Sequence, residues 1–190
     1  MLESIMPMLK WVILIVVILI LLCMVWKKAP QDKAIVVTGL KRRVISGSGG
    51  IEIPYLEQIS RISLENMKVE VKTHESLDSN GVPIDTDGVA IIKVNSDPKC
   101  VLLAMEQFNT GREKETINVI KETVQDVLEG KLREIVSKMS IEEIYRDREM
   151  FANEVENVAK DDLEKMGLEI KTFTIRDIDD TKGYLTALGA

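Results

Sequence analysis

Apolar and polar positions follow three different rhythms along this chain. From Trp11 to Trp26 the run "WVILIVVILILLCMVW" carries no charge and no polar face. Further on the rhythm has period two. "MKVEVKT" (67–73) places Met67, Val69, Val71 and Thr73 on one face, and "GVAIIKV" (88–94) is a second β-rich run. Asn80-Gly81 between them is a hairpin-turn signal and predicts antiparallel pairing of the two runs. The period then changes to 3.6. Ile117, Ile120, Val124, Val127, Leu128, Leu132, Ile135, Val136 and Met139 form one stripe and predict a helix over 113–139. "SIEE" (140–143) is a capping box that opens the next helix. Its stripe runs through Phe151, Val155, Val158, Ala159, Leu163 and Met166 and closes at Gly167. "LEIKTFTIRDI" (168–178) returns to strand, and its apolar phase slips between Ile170 and Phe173, which predicts a bulge.

Shorter strands are predicted at Ala34–Val37, Arg43–Ile45 and Ile51–Ile53, punctuated by Gly39 and "GSGG" (47–50) and stopped by Pro54. The order of strands, hairpin, two helices and strand is α+β, with helices on one face of a mostly antiparallel sheet.

The unbroken run has three readings: cleaved signal, lipoprotein signal or permanent anchor. Cleavage needs small residues, but Met24, Val25, Trp26, Lys27 and Lys28 follow Cys23, and Leu22 precedes it. A single-pass transmembrane anchor within residues 1–28 is therefore expected. Its residues are Trp11, Val12, Ile13, Leu14, Ile15, Val16, Val17, Ile18, Leu19, Ile20, Leu21, Leu22, Cys23, Met24, Val25 and Trp26. As a helix the run spans about 24 Å against roughly 30 Å of hydrocarbon. Met6 to Leu9 extend it, Lys10 can reach the interface, and the two tryptophans suit the headgroup level. A shallow re-entrant insertion is the other geometry for so short a run. Lysines on the C-terminal flank place the main domain in the cytoplasm.

Charge changes the picture beyond the anchor. The chain has a net charge of −6, but residues 27–72 hold nine Lys/Arg against five Asp/Glu, and residues 73–190 hold fifteen against twenty-five. Lys27, Lys28, Lys33, Lys41, Arg42 and Arg43 form a basic collar expected to contact lipid headgroups. The acidic remainder and 4% aromatic content exclude a nucleic-acid partner. Two cysteines, Cys23 and Cys100, make no disulfide framework and no CxxC metal spacing.

Candidate chemistry is sparse. His74 in "KTHES" is the sole histidine and has no evident nucleophile beside it. "GSGG" leads into "IEIP" rather than a helix, so it reads as a turn and not a phosphate loop. Asp78, Asp85 and Asp87 lack the spacing of a calcium loop. Asp177, Asp179 and Asp180 read as a solvated strand end. No catalytic residue, cofactor or metal site is expected.

"LEGKLREIVSKMSIEEIYRDREMF" (128–151), "DLEKMGLEIKTFTIRDIDD" (162–180) and "GYLTALG" (183–189) closely resemble flotillins, of the stomatin/prohibitin/flotillin (SPFH, band 7) family. "SGSGGIEIP" and "NGVPIDTDGVAIIKV" are similar to the same family's N-terminal half. The resemblance implies an SPFH domain in two parts, a β-rich half over 29–98 and an α/β half over 99–190. It also implies a non-enzymatic scaffold that self-associates, organises lipid and protein microdomains (membrane rafts) at the cytoplasmic face, and takes other membrane proteins as partners. Regulation of a membrane protease or transporter is the alternative from the wider family. Flotillins continue past the segment resembling "GYLTALG" into an Ala/Glu-rich coiled coil, whereas this sequence stops at Ala190. Self-association without that coiled coil is the open expectation.

Overall fold

The computed structural model describes residues 2–28, 32–38, 43–46, 49–51, 58–180, 182–184 and 187. The chain divides into two compact units, Met1–Arg61 and Ile62–Ala190.

The first unit opens with helix α1 (Leu2–Val25). Strand β1 (Trp26–Lys28) follows directly and pairs antiparallel with β4 (Gly49–Ile51). β2 (Lys33–Thr38) pairs antiparallel with β3 (Arg43–Ser46), with Ile35 opposite Ile45 as a small buried pair. β5 (Gln58–Ser63), whose residues up to Arg61 belong to this unit, completes that sheet in the order β3-β2-β5. Glu52 and Ile53, the rest of the third expected strand, and the Pro54 that should stop it lie outside the described residues.

The transmembrane helix expected over Trp11–Trp26 is not borne out. The helix itself forms, but among the described residues no helix is long and apolar enough to cross a membrane. The physical reason lies at its two ends. Lys10 bounds the run on one side, and Trp26 leaves the helix to pair with Ile51 on the other. The uncharged helical stretch Trp11–Val25 rises only about 22 Å, short of roughly 30 Å of hydrocarbon. The orientation inferred from flanking lysines assumed a span and falls with it.

The second unit is α+β, as expected. Its sheet has the order β6-β7-β8, from β6 (Met67–Leu77), β7 (Pro83–Val94) and β8 (Leu168–Asp180), all antiparallel. β7 alternates strictly: Ile84, Thr86, Ala90, Ile92 and Val94 are buried while Asp85, Asp87, Val89, Ile91 and Lys93 are half-exposed. Beside it Met67, Val69, Val71 and Thr73 of β6 face the same core, as their spacing predicts. Thr73 and Thr86 bury their hydroxyls by bonding to each other at 2.6 Å.

Helices cover that core face. α3 (Glu113–Val136) lies against β6 and α5 (Arg148–Glu164) against β8. Their buried stripes are Ile120, Val124, Leu128 and Leu132, and Phe151, Val155, Ala159 and Leu163. Lys131 Nζ on α3 sits 3.1 Å from Asp162 on α5, which raises the lysine's pKa and lowers the aspartate's.

Two helices extend the expected set. α2 (Pro98–Phe108) is not among the predicted elements, although Asp97 caps it, Pro98 starts it, and Val101, Ala104, Met105 and Phe108 supply a stripe. The Ser140–Glu143 capping box forms, but it opens only the short α4 (Ile141–Arg146). Asp147 then caps α5 separately, its carboxylate accepting from the Met150 N–H at 2.9 Å.

The expected bulge in β8 is present: Ile91 faces Thr172 and Ile92 faces Ile170, so Lys171 is the extra residue. A second irregularity leaves Arg176 without a partner in the register between Ile175 and Asp177.

Two residues tie distant segments together. Asp78, buried in the β6–β7 loop, accepts from the N–H groups of Asn80 and Val82 at 2.8 Å with one oxygen. Its other oxygen accepts from the Ile141 N–H at 2.9 Å, capping α4. Gly167 has φ +76°, and a Cβ there would lie 2.1 Å from the Cys100 carbonyl of α2. Asp78→Ala leaves three N–H groups without their acceptor and should cost about 3 kcal/mol in urea unfolding. Asp78→Asn should recover part of this, because its NH₂ cannot accept from Ile141; equal losses for both variants would contradict that geometry. Gly167→Ala should cost about 1–2 kcal/mol from backbone strain and more from the clash with the Cys100 carbonyl, read by the same unfolding, and a neutral effect would refute the close approach of α2.

Candidate membrane interface

α1 has an apolar residue on every side, and its described residues stay uncovered. Trp11 is 67% exposed, Val17 47%, and every described apolar residue from Trp11 to Leu22 falls between these values. Cys23 is exposed as well. An ordinary surface helix buries a stripe about 100° wide against its own domain. This one presents Ile, Val and Leu on all faces, an apolar surface that water does not tolerate without a covering phase.

The basic collar is distributed over several elements. Lys27 and Lys28 lie in β1, opposite Gly50 and Gly49. Lys33 opens β2 and is half-exposed; Arg43 opens β3, opposite Val37. Lys41 and Arg42 lie outside the described residues. Lys27 and Lys28 therefore follow α1 along the chain without a break.

The other candidates go to structural work. His74, 76% exposed at the side chain, sits 3.4 Å from Asp85 in the β6 irregularity between Thr73 and Ser76. Glu75 has φ +50°, and its N–H donates to Asp85 at 2.7 Å. That N–H is the main reason the Asp85 carboxyl is held below the ordinary range, with His74 adding to it. Asp87 meets Arg176 at 2.9 Å and Lys72 at 3.7 Å. Asp177 and Asp179 stand opposite Asp87 and Asp85 on the uncovered face of the sheet, whereas Asp180 is buried opposite Ile84. Among the described residues no group of His, Cys, Asp or Glu could hold a metal ion. The Cys100 thiol is pushed above its usual pKa by burial and by Asp97, Glu164 and Glu169, the opposite of an activated nucleophile.

Residues 27–190 match the SPFH domain / Band 7 family. The chain belongs to that family. Within it, the Flotillin-like protein FloT of Bacillus subtilis (strain 168) is 38% identical over 178 residues, covering 86% of this chain and 34% of that protein. Flotillin-1 of Homo sapiens is 36% identical over 162 residues, covering 83% of this chain and 37% of that protein. The similarity is thus flotillin-like, and the chain spans about a third of the length of these relatives. The SPFH match begins at Lys27, so the exposed helix lies outside it. The exposed apolar helix and the family-defining domain are adjacent along the chain but distinct.

Proposed function

We propose that this protein is a non-enzymatic, membrane-associated scaffold whose SPFH domain is held at the cytoplasmic face by α1, and whose copies associate laterally to organise membrane microdomains. The observation that carries the reading is the all-round exposure of Trp11–Leu22. About a dozen apolar side chains at roughly half exposure represent on the order of 10 kcal/mol of transfer free energy. That is comparable to the transfer free energy of one long acyl chain at about 0.8 kcal/mol per buried CH₂.

The uncharged stretch of α1, about 22 Å long, exceeds the roughly 15 Å of hydrocarbon in one leaflet, so it fits a single leaflet only when oblique to the membrane normal. A helix apolar on every face sinks into acyl chains rather than floating half-immersed at the headgroups. Lys27 and Lys28 stay at the polar boundary, and the collar adds attraction of about 1 kcal/mol per charge near anionic lipid. Flotillin-like family membership supports the scaffold part of the reading. Confinement to a surface raises the effective concentration of copies for lateral contact.

Liposome flotation tests the anchoring. The full chain should float, and Ile15→Asp with Leu19→Asp should leave most of it in the soluble fraction. With Ser4→Cys in a Cys23→Ser, Cys100→Ala background, the thiol should react with an impermeant reagent added on the protein's own side. Labelling only from the far side would sink single-leaflet insertion. Charge reversal of Lys41, Arg42 and Arg43 should keep the chain on membranes while lowering hydrogen-exchange protection of the β-rich segment on anionic liposomes. Unchanged protection there would remove the collar from the reading.

A further inference from the structure

The sheet of the second unit has two outer edges, and they differ in charge. Along β6 a groove of about 320 Å³ is lined by Lys68, Lys72 and Lys121 against a single carboxylate, Glu70. Two such edges brought together would repel. Along β8 a groove of about 450 Å³ runs between the strand's Lys171–Ile175 and the side of α5. Its charges balance: Arg148 and Glu149 at one end, Glu156 and Lys171 at the other. Among the described residues no strand pairs with the outer side of β8. Such an edge is a template for strand addition.

The order of charges is what makes the edge self-complementary. α5 runs antiparallel to β8, so Arg148 lies at the far end of the strand, its guanidinium donating to the Arg176 carbonyl at 3.4 Å. A two-fold axis perpendicular to the sheet would set one β8 antiparallel to its copy. Arg148 and Glu149 of each copy would then meet Glu156 and Lys171 of the other, a cation facing a carboxylate twice at each end. The irregularities at Lys171 and Arg176 frame the regular stretch Thr172–Ile175. Opposed residues of antiparallel strands share a face. Placing the axis at Phe173 therefore puts exposed Thr172 opposite Thr174 of the copy, with Phe173 on the covered side. Ala152 and Asn153 are short side chains where the two helices would approach.

We propose that two copies of this chain associate through their β8 edges, forming a continuous six-stranded sheet with α5 beside α5. This rests on the lateral self-association proposed above and names the surface that carries it. Charge pairs at the rim contribute little individually, so strand pairing supplies the register and the charges select the partner.

The test uses the full chain in liposomes, with Cys23→Ser and Cys100→Ala. Mixed Thr172→Cys and Thr174→Cys chains should form a disulfide-linked dimer on mild oxidation. Thr174→Cys mixed with Lys68→Cys should not. In detergent, Glu149→Lys or Lys171→Glu alone should weaken association roughly threefold to tenfold, and the double variant should restore it. A Thr174→Cys link to Lys68→Cys instead would overturn the proposal in favour of head-to-tail stacking on β6. Trapping only with a different protein in whole membranes would overturn it too. Oligomeric mass by light scattering with no β8 cross-link would refute this surface while leaving self-association standing. A monomer at every concentration would remove both.

Discussion

The fold of the second unit depends on one constraint: a three-stranded sheet must hide one face from water while its other face stays partly exposed. β7, the central strand, alternates buried and half-exposed residues along its whole length from Pro83 to Val94. Its register with β6 and β8 sends Met67, Val69, Val71, Phe173, Ile175 and Ile178 to the same side. A slip of one residue would turn every one of them outward. The helices follow from this. α3 and α5 bring buried stripes of matching length to that face, and Lys131 and Asp162 join them at the surface.

Irregularities in the strands preserve the constraint. β8 needs two extra residues, Lys171 and Arg176, to keep its apolar positions in phase with β7 over thirteen residues. β6 needs its own at His74–Glu75, where Asp85 supplies the hydrogen bond that a left-handed Glu75 requires. Polar residues that look like candidate chemistry in the sequence thus work as backbone supports. Asp78 is the plainest case, since its carboxylate holds a hairpin loop and the start of α4 together.

α1 obeys the opposite rule. Its described apolar residues from Trp11 to Leu22 are exposed on every face instead of packing into a core. The SPFH domain can hide its own hydrophobic surface, and the helix cannot.

The periodicities were legible in the sequence because they are local. The two strands of the hairpin, the stripe of α3, the Ser140 capping box, the left-handed Gly167 and the phase slip near Lys171 each follow from spacing within a few residues. α2 was equally legible from Asp97, Pro98 and its stripe, but its short apolar run did not stand out. The exposed apolar surface was legible as composition and not as geometry: the sequence could not show that Trp26 turns into a strand and shortens the helix. Nor could it show that Asp78 reaches Ile141, or that Gly167 presses on Cys100. Those contacts join residues more than sixty positions apart, and a side chain's distant partner leaves no periodic trace. By itself the sequence determined which segments alternate, which spiral and which shun water. Only the tertiary structure decided which edges remain open and which carboxylates are already engaged, because those depend on how the elements meet in space.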